Sequence, residues 1–370
     1  MVDFHGIIFA YSASPALGEL VKRRTAASLP FCGRYRLIDF ALSSLKNAGI
    51  KDVGVIMQRD YQSLLDHIGS GKAWDMSRKS GGLRMLPPFG LPDYHNGQYA
   101  GTIEALNAVS SYIRDIPQKY IVMLRGNVCA NIDLTAAIKE HFASGATITA
   151  ICTERCHPWN YYKYITDGDG AVSKLLCHAE PETEGITSLG GYILDKETLL
   201  AMMDSCRKTN GHYLHTDALS AFLADGGKMH VYVHPGYVKT IRTVDDYYSA
   251  NMDMLAGANR ASVFPAERPV RTRAHEEVST YYGDQSSSVN SLVGDNCIIE
   301  GSIENCIVFP GCRIAQGTTL KNCIIMKGTR IGQCSDLENV IADKYVEISH
   351  GLTLKGSPSL PIVIPKRAKV

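Results

Sequence analysis

Two rhythms of apolar and polar positions divide the chain. In the first two-thirds, short apolar runs at Gly6–Ala10, Asp52–Met57, Tyr120–Leu124, Thr147–Cys152 and Leu189–Leu194 read as strands. Between them, Tyr35–Ala48, Tyr61–Ile68, Leu134–Ala143, Lys196–Asp204 and Thr216–Ala224 read as helices. In the first helix Leu37, Ile38, Ala41, Leu42 and Leu45 fall on one face at helical spacing, and Asn47-Ala48-Gly49 supplies the stop. Such alternation predicts an α/β domain over residues 1–257, its mainly parallel sheet covered by helices on both faces. A sheet of that kind places its ligand site at the carboxyl ends of its strands.

Beyond residue 257 the helical rhythm stops. Residues 258–288 are irregular and rich in Pro, Arg, His and Ser, which predicts a linker. From residue 289 to 370 a new period appears. Val308, Ile314, Leu320 and Met326 lie six apart; a five-residue step reaches Ile331, and six more reach Leu337. Glycines recur at turn-like positions between them. This predicts a parallel β-helix, in which each coil buries its apolar position by stacking on the next. An antiparallel sandwich would explain the strands but not the fixed period.

Charge narrows the partners. The formal net charge is +1, with 45% hydrophobic and 20% charged residues. No polyanion-attracting field follows, which argues against nucleic acid or an anionic membrane as partner. The start of the sequence has neither the basic nor the long apolar region of a secretory signal, so a cytoplasmic location is expected. Eleven cysteines occur without CxxC pairs or zinc-like spacing. They are expected to be small apolar fillers in a reducing compartment, five of them in the C-terminal repeat.

The segment Lys22-Arg23-Arg24-Thr25-Ala26-Ala27-Ser28-Leu29-Pro30-Phe31-Cys32-Gly33-Arg34-Tyr35-Arg36-Leu37-Ile38-Asp39-Phe40 closely resembles the N-terminal hallmark of glucose-1-phosphate adenylyltransferases, the ADP-glucose pyrophosphorylases. Gln62-Ser63-Leu64 with His67-Ile68, then Tyr99-Ala100-Gly101-Thr102, and Asp245 to Asp253 follow in family order. The resemblance spans nearly the whole chain. It implies a nucleotidyltransferase (Rossmann-like) domain followed by a left-handed parallel β-helix, and a role in bacterial glycogen synthesis.

In that family a phosphate oxygen of glucose 1-phosphate attacks the α-phosphorus of ATP. The nucleophile is already an anion, so catalysis rests on positioning and charge neutralisation. A glycine-rich loop, basic side chains and carboxylates holding Mg²⁺ supply these. Here the loop after the first strand is Phe9-Ala10-Tyr11-Ser12-Ala13-Ser14-Pro15-Ala16-Leu17, without glycine and with Ala16 at the family arginine. The family lysine aligns with Ala26. The family's metal-binding aspartate, in a Ser-Gly-Asp context, aligns with Asn127 of Arg125-Gly126-Asn127. The sugar-phosphate Glu-Lys-Pro aligns with Ala179-Glu180-Pro181. A second aspartate is matched by Asp245, although Arg242 stands three residues before it.

The resemblance therefore points to the non-catalytic, regulatory subunit type. It implies a catalytic adenylyltransferase subunit as partner, in a heterotetramer, and a possible small-molecule effector. No cofactor is expected, Mg²⁺ being the ion of active relatives. Asp245 and the altered Asn127 are the vestigial catalytic candidates; Asp245 opens a helix, so a capping or dipole role stands beside metal binding. Lys22, Arg23, Arg24, Gly101, Thr102 and Ser188 are the vestigial binding candidates. His141, His178 and His212 receive no role, and Tyr161, Tyr162 and Tyr164 read as packing. The rival readings are a nucleotidyltransferase still active in its own right and, from the hexapeptide pattern, an acyltransferase.

Overall fold

The computed structural model describes residues 3–11, 15–88, 98–155, 162–274 and 277–370. A nine-stranded sheet organises the N-terminal domain. Its strands in chain order are β1 (Phe4–Phe9), β2 (Asp52–Ile56), β3 (Leu83–Leu86), β4 (Tyr120–Arg125), β5 (Ile148–Thr153), β6 (Tyr162–Thr166), β7 (Val172–Cys177), β8 (Ile186–Asp195) and β9 (Met229–Val233). β3, β2, β1 and β4 lie side by side and parallel. β8 runs antiparallel to β4 and also pairs with β5 and β6, while β7 closes a hairpin with β6 and β9 runs parallel to β5. The sheet is thus mixed, with its parallel half where the apolar runs are strongest.

Both faces of the sheet are covered. Because side chains alternate along a strand, Ile7 and Ile8 enter opposite layers. Ile7, Ile121 and Met123 pack under the helices α3 (Thr102–Ala108), α4 (Ser110–Asp115) and α6 (Lys196–Thr209). Ile8, Val53 and Val122 pack under α1 (Ile38–Asn47), α2 (Gln62–Ile68) and α5 (Leu134–Ser144). The helix expected at Tyr35 starts at Ile38, since Tyr35–Arg36 first forms a two-residue hairpin with Pro30–Phe31. The segment expected as one helix at Thr216–Ala224 is a π-helical turn, Leu214–Leu219, leading into α7 (Ser220–Ala224). α8 (Val244–Asp253) follows the sheet, opened by a capping box between Thr243 and Asp246.

The C-terminal domain is a parallel β-helix of three five-stranded sheets. It begins at Tyr281–Tyr282, and helix α9 (Gly257–Val263) precedes it, so both ends of the stretch expected as linker carry regular structure. Val308, Ile314, Leu320, Ile331 and Leu337 fill its interior as the period predicts. The inward residue after Leu320 is Ile325, stacked on Val308, and Met326 faces outward. The five-residue step therefore lies between Leu320 and Ile325.

On one side of the β-helix both faces of the strands are apolar. Ile307, Phe309, Ile324, Met326 and Ile341 point out of the coils and join Leu17, Leu20, Leu29, Phe31 and Phe40 in a core shared by the two domains. Tyr248 on α8 reaches across to Asn322 O at 2.7 Å and Asn339 Oδ1 at 3.0 Å. Buried Arg24 pairs with buried Asp343 at the same junction. No helix among the described residues is long and apolar enough to cross a membrane.

Candidate functional site

A cleft of about 470 Å³ opens at the carboxyl ends of β1, β2 and β4, where such sheets place their ligands. Its wall near β1 is aromatic. Tyr11 follows β1 directly, and its ring meets Phe9 edge-on at 6.0 Å and Tyr99 at 5.4 Å. Burial pushes the Tyr11 phenol well above its ordinary range. Residues 12–14, and with them Ser12 of the predicted degraded loop, lie outside the described residues. Pro15 and Ala16 complete that side of the cleft, so a proline and a methyl group stand where the resemblance calls for donors and a cation.

The opposite wall was not legible in the sequence. The π-helical turn at Leu214–Leu219 turns His215 into the cleft, where its ring stacks on Tyr162 with centroids 3.6 Å apart and planes 6° from parallel. Behind this pair, His215 Nε2 hydrogen-bonds the Tyr192 hydroxyl at 2.6 Å, and that hydroxyl contacts Tyr164 at 2.9 Å and Ser188 at 3.3 Å. Burial, reinforced by the positive charges of Arg125 and Arg242, holds His215 well below the ordinary histidine range. Tyr162 thus lines the cleft, while Tyr164 is buried behind it; Tyr161 lies outside the described residues.

The predicted binding residues separate into two groups. Gly101 and Thr102 line the cleft. Gly101 also lets the chain pass close to the 212–213 turn, because a Cβ there would stand 2.2 Å from His212 O. Lys22, Arg23 and Arg24 do not line it. Lys22 is exposed and paired with Glu19, Arg23 is exposed, and Arg24 is consumed by its buried pairing with Asp343. Ser188 sits behind the cleft, where its Oγ accepts from Gly190 N at 3.1 Å. Ala26 is buried in the interdomain core, and Glu180 is exposed and absent from the cleft wall.

Asp245 stands apart from the cleft lining. It lies exposed in the first turn of α8, outside the cleft wall, where a carboxylate complements the helix dipole. The segment that does meet Asn127 is Thr240–Ile241. Thr240 pairs with Val128 in a short antiparallel ladder, Ile241 N donates to Asn127 O, and Asn127 Nδ2 donates to Ile241 O at 2.9 Å.

The amide at 127 is therefore built in. A carboxylate there would set an oxygen against the Ile241 carbonyl, so Asn127→Asp is expected to lose about 1–3 kcal/mol of stability and to restore no turnover. Urea unfolding with an ADP-glucose assay checks both; a stable, active Asn127→Asp chain would overturn this account.

Mg²⁺ fails the test of fit. Among the described residues no carboxylate lines the cleft, which instead holds Arg125 and Arg242. Nor does any group of three His, Cys, Asp or Glu side chains among them come together to hold a metal. An amide oxygen offers a divalent ion no charge, and two guanidinium groups repel it.

The Nucleotidyl transferase family matches residues 15–257, the stretch that holds most of the mixed sheet and of its cleft. The chain belongs to that family. A GlmU-like C-terminal hexapeptide family matches residues 275–357, in keeping with the left-handed β-helix the resemblance implied. Among relatives of this chain, the glycogen biosynthesis protein GlgD of Bacillus subtilis (strain 168) is 31% identical over 361 residues, covering 98% of this chain and 95% of its own. The glucose-1-phosphate adenylyltransferase of Clostridium botulinum (strain Alaska E43 / Type E3) is 28% identical, covering 85% and 82%. That of Geobacillus stearothermophilus is 29% identical with the same coverage.

Proposed function

We propose that this chain is a largely non-catalytic, regulatory subunit for glucose-1-phosphate adenylyltransferase in glycogen biosynthesis. It assembles with a catalytic homologue and raises that homologue's formation of ADP-glucose from ATP and glucose 1-phosphate. The observation that carries the reading is the carboxylate-free cleft among the described residues, with arginines at 125 and 242. Removing one preorganised electrostatic stabiliser typically costs about 10²–10³ in rate, and here the loop, the lysine position and the metal carboxylate are all altered. The relative matched over nearly the full length bears a glycogen biosynthesis name rather than an adenylyltransferase name, which supports the same reading.

The partner would be a catalytic adenylyltransferase subunit, in a heterotetramer. Since one side of the β-helix is spent on the chain's own N-terminal domain, the contacts fall to its other sides and to the outer helices. A small-molecule effector belongs to the proposal as well. Exposed Arg23 lies close to buried Arg24, and Lys344 is lowered to about 7 by burial and then by Arg36 and Arg24.

The test is ADP-glucose synthesis by this chain, by its catalytic homologue, and by the two co-purified. We expect silence from this chain alone and a gain of several-fold in the mixture. Robust turnover by the pure chain would favour the active-enzyme reading instead, and failure to co-purify would defeat the assembly.

A further inference from the structure

A hollow of about 420 Å³ lies at the amino ends of the parallel strands, the end of the sheet away from the cleft. Neighbouring strands bring polar side chains to it. His5 is the second residue of β1, Asp52 the first of β2 and Arg84 the second of β3, and Gln118 stands two residues before β4. Helix α4 adds Tyr112 and Asp115. Gly54 on β2 admits the Tyr112 ring, since a Cβ there would stand 2.8 Å from Tyr112 Cε1.

Most of its wall is already committed. Asp52 Oδ1 accepts from Gly82 N at 2.6 Å, and Asp52 Oδ2 accepts from Gln118 Nε2 at 2.7 Å. His5 Nε2 and the Tyr112 hydroxyl share a hydrogen bond of 2.8 Å. His5 and Gln118 are more than nine-tenths buried, so this part of the wall is held in place before any ligand arrives. Two charges are left over. Arg84 and Asp115 line the hollow and are exposed, and among the described residues neither has an ion pair, with the other or with any third group. The Arg84 guanidinium instead lies 5.9 Å from the centroid of the Tyr112 ring.

Charge decides what suits the space between them. Burial lowers His5 to about 4, so its ring is uncharged at neutral pH. The wall then sets two carboxylates, Asp52 and Asp115, against one guanidinium, Arg84. A plain anion is opposed by the carboxylates, and a bare cation is opposed by the guanidinium. A molecule carrying both charges satisfies both: its carboxylate meets the fork of Arg84, and its ammonium group meets Asp115. Tyr112 and Pro117 offer apolar contact to a side chain beside them. We propose that this hollow binds a free α-amino acid, held by Arg84 at its carboxylate and by Asp115 at its ammonium group. The site is separate from the cleft, so the proposal stands or falls whether or not the chain is catalytic.

The test is calorimetric titration of the full chain at neutral pH with each of the common amino acids. At least one is expected to bind. Its N-acetyl form and its carboxamide form, each lacking one of the two charges, should bind about tenfold or more weakly. Arg84→Gln and Asp115→Asn should each weaken binding about ten- to hundredfold, as loss of a hydrogen bond to a charged group does. Both residues are exposed, so both variants should unfold at the urea concentration of the parent. Failure of every amino acid to bind, undiminished binding of the N-acetyl form, or an affinity indifferent to both variants would overturn the proposal. Inorganic phosphate is titrated alongside; phosphate binding that is lost in Arg84→Gln and kept in Asp115→Asn would make this an anion site and overturn it equally.

Discussion

Asp343→Ala is expected to destabilise the protein by about 3–5 kcal/mol, the cost of leaving a buried charge without its counter-ion. Asp343 and Arg24 expose 1% and 4% of their side chains, so solvent does little to screen the pair. The surroundings sharpen the effect. Lys344 is driven down to about 7 by burial and by Arg36 and Arg24, so cations crowd the junction and Asp343 is the carboxylate that offsets them. Asp343 also accepts from the Lys344 backbone N–H at 2.6 Å. Removing it leaves Arg24 facing like charges in a dry core. Replacing both partners by apolar residues of similar volume, Arg24→Met with Asp343→Leu, should recover most of the loss, because the cost lies in the orphaned charge. Urea unfolding of the two variants decides the matter. A single variant within about 1 kcal/mol of the parent would mean that the pair is not desolvated as the structure shows.

Acid should unfold the protein well before its carboxylates are titrated. Burial lowers His5 and His234 to about 4 and holds His215 well below the ordinary range. Above about pH 6.5 all three are neutral in the folded and unfolded states, and they contribute no slope. Between about 6.5 and 4 the unfolded chain takes up protons that the folded chain refuses. Stability therefore falls as pH falls, by about 1.4 kcal/mol per pH unit for each histidine. Together they amount to roughly 4 kcal/mol per unit, a large share of the stability of an ordinary domain. Unfolding free energies from pH 7.5 to 4.5 measure the slope directly, and His234→Gln should reduce it by about a third. A flat profile over that window would show that these histidines are protonated in the fold.

What could be read in advance follows from where the physics is local. The apolar face of Leu37, Ile38, Ala41, Leu42 and Leu45 announced α1 because helical spacing alone buries all five. The β-helix announced itself because each coil repeats the same demand on Ile314, Leu320, Ile331 and Leu337. Strand β7 offered no such signal, since its Ser173 and Lys174 are exposed at the sheet edge. Met326 reads as an inward residue in the sequence because inward and outward positions are equally apolar where a second domain covers the coil. The cleft was half legible. Tyr11, Ala16 and Asn127 stand out against a family pattern, whereas His215 depends on a π-helical turn with no mark in the sequence. Asp245 left two readings open for a related reason. An acidic residue near a helix start suits a dipole as well as a metal, and the burial pattern decides between them.

The core shared by the two domains constrains how the chain can change. Ile307, Phe309, Ile324 and Met326 are fitted to Leu17, Leu29, Phe31 and Phe40 as closely as residues within one domain are fitted to each other. A β-helix transplanted from a relative would bring a foreign outer face to that seam and leave cavities or clashes along it. Recombination between homologues is therefore expected to succeed when it carries the N-terminal 17–40 segment together with the coils, and to fail when the crossover falls near residue 270. The place that looks most like a natural joint in the sequence is the place where inheritance must keep the two halves together.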